Sequence, residues 1–274
     1  MGRRAHCPIL TRVEHFEGSY VLALGECAMR WALRALAVAG TAAAAVAVVT
    51  TPASAAACQV TNGSAAFGSV QAAVDAAAAG DRLVISGTCT GGTVVTKDLT
   101  LAGSATGPNR PVLSGGNTVR VLGIEPQAAV TLTDVIIRNG NAAAGSGGGG
   151  IQNSGSLRAV RVLVTGNRTT GAGGGILNLG DLVLTRSLVS SNRTPSDGGG
   201  IFNAGALVTW STDLKGNTAG GVGGGMFAEG VATMHGGLVT GNTAGDDGGG
   251  ILTVNVLTLD NTRVVGNTPN DCVC

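Results

Sequence analysis

The chain has 274 residues, with 17 Lys or Arg against 16 Asp or Glu, a formal net charge of +1 and aromatic residues at only 3%. So even a balance, with no polybasic run, excludes a nucleic-acid surface held by phosphate neutralisation. Glycine, at 47 residues, sets the character of the chain, and its spacing in the second half is the strongest structural signal present.

In chain order, residues 1–28 read as a dispensable leader or a mis-assigned start, because a better start follows at Met29. Arg3-Arg4 echoes a twin-arginine signal but stands too far from any apolar run. Residues 29–57 read as a signal peptide. Arg30 and Arg34 give the basic start, Ala35 to Val49 the apolar stretch, and Ala53-Ser54-Ala55 a small-residue cleavage site. The apolar stretch is shorter than the roughly 20 residues of a bilayer span, so no transmembrane anchor is expected in the mature chain. The expected location is extracellular. A lipid-modified Cys58 fits less well, since Ala55 stands where that motif prefers Leu and Thr50-Thr51-Pro52 separates the apolar core from the cysteine.

Four cysteines follow the cleavage region: Cys58, Cys89, Cys272 and Cys274. An even count in an exported chain points to disulfides. Cys58 with Cys89 would close the N-terminal end, whereas Cys272 and Cys274 either form a tight bridge or stay free.

Residues 58–150 read as an N-terminal cap and irregular coils. Phe67 to Ala79 is patterned as a helix through Val70, Ala73, Val74 and Ala77, and stops at Gly80-Asp81. Strands are expected at Arg82–Ser86, Val94–Thr96, Leu99–Leu101, Val119–Ile124 and Val130–Ile137. The apolar pairs Leu99/Leu101, Val130/Leu132 and Leu157/Ala159 lie 31 and then 27 residues apart.

From residue 151 to 274 the spacing becomes strict. A Gly-Gly-Gly block precedes Ile151, Ile176, Ile201, Met226 and Ile251, each 25 residues after the last. An asparagine recurs with the same period at Asn167, Asn192, Asn217, Asn242 and Asn267. Such a period signals a stacked solenoid in which no unit buries its apolar face alone. Numbering each coil from the residue after its glycine block, positions 1, 7, 9 and 14 are the apolar columns. Positions 7 and 9 differ by the strand period of two and share one face. Short strands with no room for a helix between them must stack on their copies, about 4.8 Å away. The crossover rule favours a right-handed coil. The expected fold is therefore all-β, a single-stranded right-handed parallel β-helix with an N-terminal capping helix.

The asparagine column at position 17 is expected to form a buried amide ladder, each side chain donating to and accepting from its copies. Asn153, Asn178 and Asn203 begin a second ladder at position 3 that fails at Ala228. Asn167-Arg168-Thr169 and Asn192-Arg193-Thr194 match a glycosylation sequon, but Asn217 and Asn242 do not, so the ladder reading wins. The glycine blocks imply a backbone need, read as positive φ at the turn into the next strand.

The run Phe67-Gly68-Ser69-Val70-Gln71-Ala72-Ala73-Val74-Asp75, with Ala79-Gly80-Asp81 and Leu99-Thr100-Leu101-Ala102-Gly103, resembles the start of pectin-lyase-like right-handed β-helix proteins. The Gly-Gly-Gly-Ile repeats, with the closing Asn267-Thr268-Pro269-Asn270-Asp271-Cys272, are similar to secreted bacterial members of that superfamily. They also resemble polymorphic outer-membrane adhesin repeats, although the Phe-x-x-Asn motif of those adhesins is missing. The resemblance spans residues 58–274 and implies the fold. The scaffold hosts lyases, hydrolases and non-catalytic adhesins alike.

Position 10 faces outward and holds Val160, Thr185, Trp210, His235 and Asp260. Trp210, His235 and Asp260 should stack on successive coils, placing an imidazole beside a carboxylate and an aromatic ring. That set offers acid/base chemistry from His235 and Asp260 and a sugar-stacking surface from Trp210. The bland alternative is an exposed ladder of mixed side chains. At position 21, Asp246 and Asp271 should lie on adjacent coils beside Asp247, an oxygen cluster that would suit Ca²⁺; solvated turn carboxylates are the competing reading. No other cofactor is expected. Nonapeptide Ca²⁺ repeats fail on the spacing, and glycine strings without a βαβ context do not bind nucleotides. In lyases of the resembled superfamily an arginine acts as base beside carboxylate-held Ca²⁺. Arg161 and Arg186 share position 11 and Arg168 and Arg193 share position 18, but no acidic residue is expected in register with them. The expected function is an exported, non-catalytic binding or surface protein of the extracellular space or cell envelope, its partner a polysaccharide or protein surface. The alternative is a lyase or hydrolase acting on acidic glycans.

Overall fold

The computed structural model describes residues 56–274 and, besides these, the strands Val13–Phe16 and Ser19–Leu22. Those two strands pair antiparallel, Val13 opposite Leu22 and Phe16 opposite Ser19. Apart from them and Ala56–Ala57, the leader and signal-peptide readings fall outside the described residues.

Residues 56–274 form a parallel β-solenoid of about seven turns. A regular coil lays down three strands, as in Ile176–Asn178, Asp181–Thr185 and Leu188–Ser190. Their copies stack into sheets of eight, ten and eight strands that enclose one core. The register never slips between regular coils: Ile151, Ile176, Ile201, Met226 and Ile251 pair in line. A one-residue slip would expose every buried column, so the alternation of inward and outward residues locks the pairing.

Three left-handed corners let a 25-residue coil close. Position 16 is Gly166, Ser191, Gly216, Gly241 and Gly266, with φ between 55° and 70°. Position 11 is left-handed in every coil, although it holds Arg161 (φ 53°), Arg186 (49°), Ser211 (49°) and Asn261 (52°). The column was not expected from the residues, because arginine and serine carry no left-handed signature. The third corner is the first glycine of each block, Gly148 and its copies, with φ from 61° to 72°. Positive φ had been expected of the whole block, yet only this glycine adopts it. The other two are needed for close approach. A Cβ on Gly174 would lie 2.4 Å from the Gly199 carbonyl oxygen, and one on Gly175 would lie 2.7 Å from that of Gly200.

The apolar columns at positions 1, 7, 9 and 14 are buried through the first four regular coils. Position 12 is buried as well, through Val135, Val162, Ser187 and Thr212. Its hydroxyls concealed it; Ser187 Oγ accepts from the Val162 N–H at 3.1 Å, and Thr212 Oγ1 from Ser187 at 3.3 Å. In the last coil only Cys272–Val273 stacks over Ile251–Leu252. Leu259, at an inward position, is therefore 39% exposed.

Both amide ladders form. Asn167, Asn192, Asn217, Asn242 and Asn267 are buried, and each Nδ2 donates to the next Oδ1 at 2.9–3.0 Å. Each Oδ1 from Asn192 onward also accepts the preceding asparagine's backbone N–H. The Gly140 N–H closes one end on Asn167 Oδ1, and the Asp271 carboxylate closes the other on Asn267. The ladder at position 3 runs Asn153 to Asn178 to Asn203.

At the N-terminal side, helix α1 spans Val70–Ala76, with the Ser69 hydroxyl accepting from the Ala72 N–H as its cap. It buries Val70, Ala73 and Val74 in the common core. It is shorter than the expected 67–79 because Phe67 belongs to strand Ala65–Phe67, antiparallel to Gln59–Asn62. The strand expected at 119–124 shrinks to Leu122–Ile124, since Thr118 and Val119 donate back to the Gly115 carbonyl in a turn. The strand expected at 130–137 splits into Ala129–Thr133 and Ile136–Arg138 across the left-handed Asp134. Cys58 and Cys89 are disulfide-bonded with Cα atoms 4.5 Å apart and a sequence separation of 31. Closing a loop of that length stabilises the fold by roughly 3–4 kcal/mol. Cys272 and Cys274 also meet, at the C-terminal tip.

Candidate functional site

The outward column at position 10 brings Trp210, His235 and Asp260 together. They end the strands Ala206–Trp210, Ala232–His235 and Leu257–Asp260 of the ten-stranded sheet, and pair in register. Burial of positions 7 and 9 forces position 10 outward, and the left-handed corner at position 11 follows immediately. The site is thus a sheet margin.

The rings of Trp210 and His235 lie 3.9 Å apart between centroids and within 13° of parallel. His235 Nδ1 lies 3.1 Å from Asp260 Oδ2, and Asn261 Nδ2 donates to Asp260 Oδ1 at 2.8 Å. A carboxylate only accepts, so Nδ1 carries the proton and Nε2 is left as the basic nitrogen. Asp260 therefore fixes tautomer and ring plane, as the acid does in a catalytic triad, but among the described residues no hydroxyl is hydrogen-bonded to Nε2. Trp210 keeps 48% of its surface exposed while one indole face rests on the imidazole. The arrangement can present an aromatic platform or accept a proton at Nε2. It holds no second carboxylate.

The acidic residues at the C-terminal end are not brought together as position 21 implied. Cys272 pairs with Ile251, so the last coil closes in 21 residues instead of 25. Asp271 consequently falls beside Gly250, a coil corner away from the column of Asp246. Its Oδ1 accepts from the Asn267 backbone and side chain at 2.9 and 3.0 Å, ending the amide ladder. Asp247 Oδ1 accepts from Gly248 N and Asn270 Nδ2. Among the described residues no group of three or more His, Cys, Asp or Glu side chains gathers to hold a metal ion.

One acid does stand in register with the arginines. Asp134, in the irregular 27-residue coil, occupies position 11 one turn before Arg161. Arg161 grips it with Nε–Oδ1 at 2.7 Å and Nη2–Oδ2 at 2.6 Å. The Arg161 hydrogen bonds hold the Asp134 carboxyl below the usual range, against its own burial. The 27-residue spacing hid this pair, since it puts Asp134 outside the 25-residue frame. Also unforeseen is the outward position 2 column, where Leu177, Phe202, Phe227 and Leu252 follow one another and the two phenyl rings meet edge to face at 5.3 Å. Reading the residues between each buried Ile or Met and the position 3 column would have found it.

Comparison with protein-family models, with curated proteins and with solved structures returns no match to this chain.

Proposed function

We propose that this is an exported, non-catalytic β-solenoid that binds an extracellular polysaccharide or protein surface through its outward columns. On this reading the coil is right-handed and α1 is the N-terminal cap, in the manner of pectin-lyase-like β-helices. The disulfide between Cys58 and Cys89 and the absence, among the described residues, of any helix long and apolar enough to cross a membrane are consistent with an extracellular place.

One observation carries the binding reading. The imidazole of His235 backs the indole of Trp210 at 3.9 Å, instead of pointing into a cleft with an opposing acid. A backed, half-exposed indole on a rigid sheet is a stacking surface for a sugar ring or a flat apolar group. Trp210 is the only tryptophan after Trp31, so its fluorescence reports occupancy. Titration with soluble polysaccharides should shift that emission saturably, and Trp210→Ala should abolish binding measured by calorimetry. Binding that survives Trp210→Ala would place the surface elsewhere.

The second reading, a lyase or hydrolase on acidic glycans, draws on the His235–Asp260 hydrogen bond. Hydrolysis on opposed carboxylates needs two of them about 5–9.5 Å apart, and only Asp260 is bonded to this column. No unsaturated or reducing ends are expected from polygalacturonate, with or without Ca²⁺. Their release, lost in His235→Ala or Asp260→Asn, would establish the enzyme instead.

A further inference from the structure

A second feature lies at a different corner of the coil. After the third sheet and the left-handed residue at position 16, the buried asparagine of position 17 is followed by an outward residue at position 18. In the first two regular coils this is Arg168 and then Arg193. Backbone bridges join Asn141 to Arg168 and Arg168 to Arg193, so the two arginines stand directly opposite each other, one coil rise of about 4.8 Å apart. Their backbones are rigid. Arg168 N donates to Gly140 O and Arg193 N to Asn167 O, each at 2.9 Å, and the flanking Asn167 and Asn192 are each 1% exposed. Thr169 and Thr194 turn inward on the other side.

Like charges directly opposite on neighbouring strands destabilise a sheet. Two other cations are paired with acids, Arg161 with Asp134 and Lys215 with Asp213. Among the described residues no carboxylate lies within salt-bridge distance of Arg168 or Arg193. The nearby Asp197 has an oxygen turned to the Val222 N–H at 2.9 Å. Both arginines line a groove of about 400 Å³ whose remaining lining is Asn141, Thr169, Thr170 and Pro195, without an acid.

We propose that this groove is a binding site for a tetrahedral oxyanion, a sulfate or phosphate group, clamped between the forks of Arg168 and Arg193. A guanidinium fork matches two oxygens of an oxyanion edge. A carboxylate is used up by one fork. A sulfate or phosphoryl group has further oxygens for the second fork and for the exposed Thr170, so two stacked forks select the tetrahedral group. The anion also removes the repulsion that the register imposes. The group comes either from a free inorganic anion or from an ester on a polymer, and the two sources present the same chemistry.

The site is tested by calorimetric titration of the full chain at constant ionic strength, with sodium sulfate, sodium phosphate, dextran sulfate and polygalacturonate as probes. Saturable binding of at least one tetrahedral probe is expected, weakened at least tenfold in Arg168→Gln and in Arg193→Gln. Arg186→Gln, at the position 11 corner, should bind as the parent does, which ties the effect to the position 18 pair and not to the loss of any one surface arginine. Arg193→Lys keeps the charge and loses the fork, so it should weaken binding even where a glutamine variant folds poorly. Binding of dextran sulfate alone assigns the group to a polymer; binding of inorganic sulfate or phosphate assigns it to the free anion. No saturable binding of any tetrahedral probe would overturn the site, as would affinity unchanged in the Arg168→Gln/Arg193→Gln double variant. Polygalacturonate binding as tightly as dextran sulfate would overturn the tetrahedral selection.

Discussion

Asn217→Ala removes the middle rung of the position 17 ladder, and its cost follows from the hydrogen bonds that the side chain makes. Oδ1 accepts from the backbone N–H and from Nδ2 of Asn192 at 3.1 and 3.0 Å; Nδ2 donates to the Val189 carbonyl at 3.0 Å and to Asn242 Oδ1 at 2.9 Å. Asn242 Oδ1 retains the Asn217 backbone donor, and Asn192 Nδ2 retains the Val164 carbonyl. Three groups lose a bond: the Asn192 N–H, one hydrogen of its amide and the Val189 carbonyl. Each buried group left unsatisfied costs about 1–3 kcal/mol, and neighbours sharing one cavity add less than in full, so the expected loss is about 3–5 kcal/mol. For a unit of this size that lowers the melting temperature by roughly 6–20 °C. Thr218→Ala, at a partly exposed side chain with no hydrogen bond of its own, should stay within about 0.5 kcal/mol. Melting followed by far-ultraviolet circular dichroism and by Trp210 emission compares the two variants with the parent. Equal melts for the two would refute the reasoning, because they would mean that the amide column contributes no more than a surface threonine.

Secreted material should begin at Ala56 or Cys58, just after the Ala53-Ser54-Ala55 cleavage region; an N-terminus upstream of Ala53, read by Edman sequencing, would contradict the signal-peptide reading. Asp134→Asn should flatten the acid side of the stability profile. The folded carboxyl is depressed by Arg161, so its contribution is present above the unfolded value of about 3.9 and is lost as pH falls through the lower folded value. Urea midpoints measured across that range check it, and an unchanged acid limb would show that the pair contributes nothing. At the corners, Gly166→Ala should cost only the left-handed strain of about 1–2 kcal/mol, since no atom lies closer than 3.9 Å to its added Cβ. Gly175→Ala should cost distinctly more, because its Cβ meets the Gly200 carbonyl at 2.7 Å and Asn192 at 2.9 Å; thermal melts that rank the two the other way would refute the distinction between a left-handed corner and a close approach.

The regular coils were legible because each physical requirement is written five times. An apolar residue at position 1 is ambiguous once; repeated at residues 151, 176, 201, 226 and 251, it can only be a column. The same repetition revealed the amide ladder, whose members are polar and would each have been placed on the surface if read alone. Failures came where a requirement appears without a residue type to mark it. The left-handed corner at position 11 is met by arginine, serine, glycine and asparagine, so no side-chain chemistry announces it. Position 12 is buried whether it holds valine, serine or threonine, because the hydroxyls are satisfied by the neighbouring coil.

The candidate site sits where the period breaks, and there repetition gives no help. Trp210, His235 and Asp260 each occur once in their column; counting positions predicted their adjacency, but the parallel rings and the shared proton needed coordinates. Asp271 was misplaced for the converse reason. The count assumed a fifth full coil, whereas the chain closes four residues early and turns that carboxylate into the ladder's last acceptor. A solenoid tolerates such exceptions only at its outward columns and its ends, because an inward exception is felt by the coils on both sides. The sheet that carries positions 1 to 3 shows the limit: Ala228 replaces the position 3 asparagine, so Asn203 Nδ2 bonds only the Gly205 and Val231 carbonyls while the first rung, Asn153, keeps a buried Oδ1 without a partner. Variation that the interior resists is therefore displaced to positions 2, 8, 10 and 18, and these are the columns on which a ligand has to be sought.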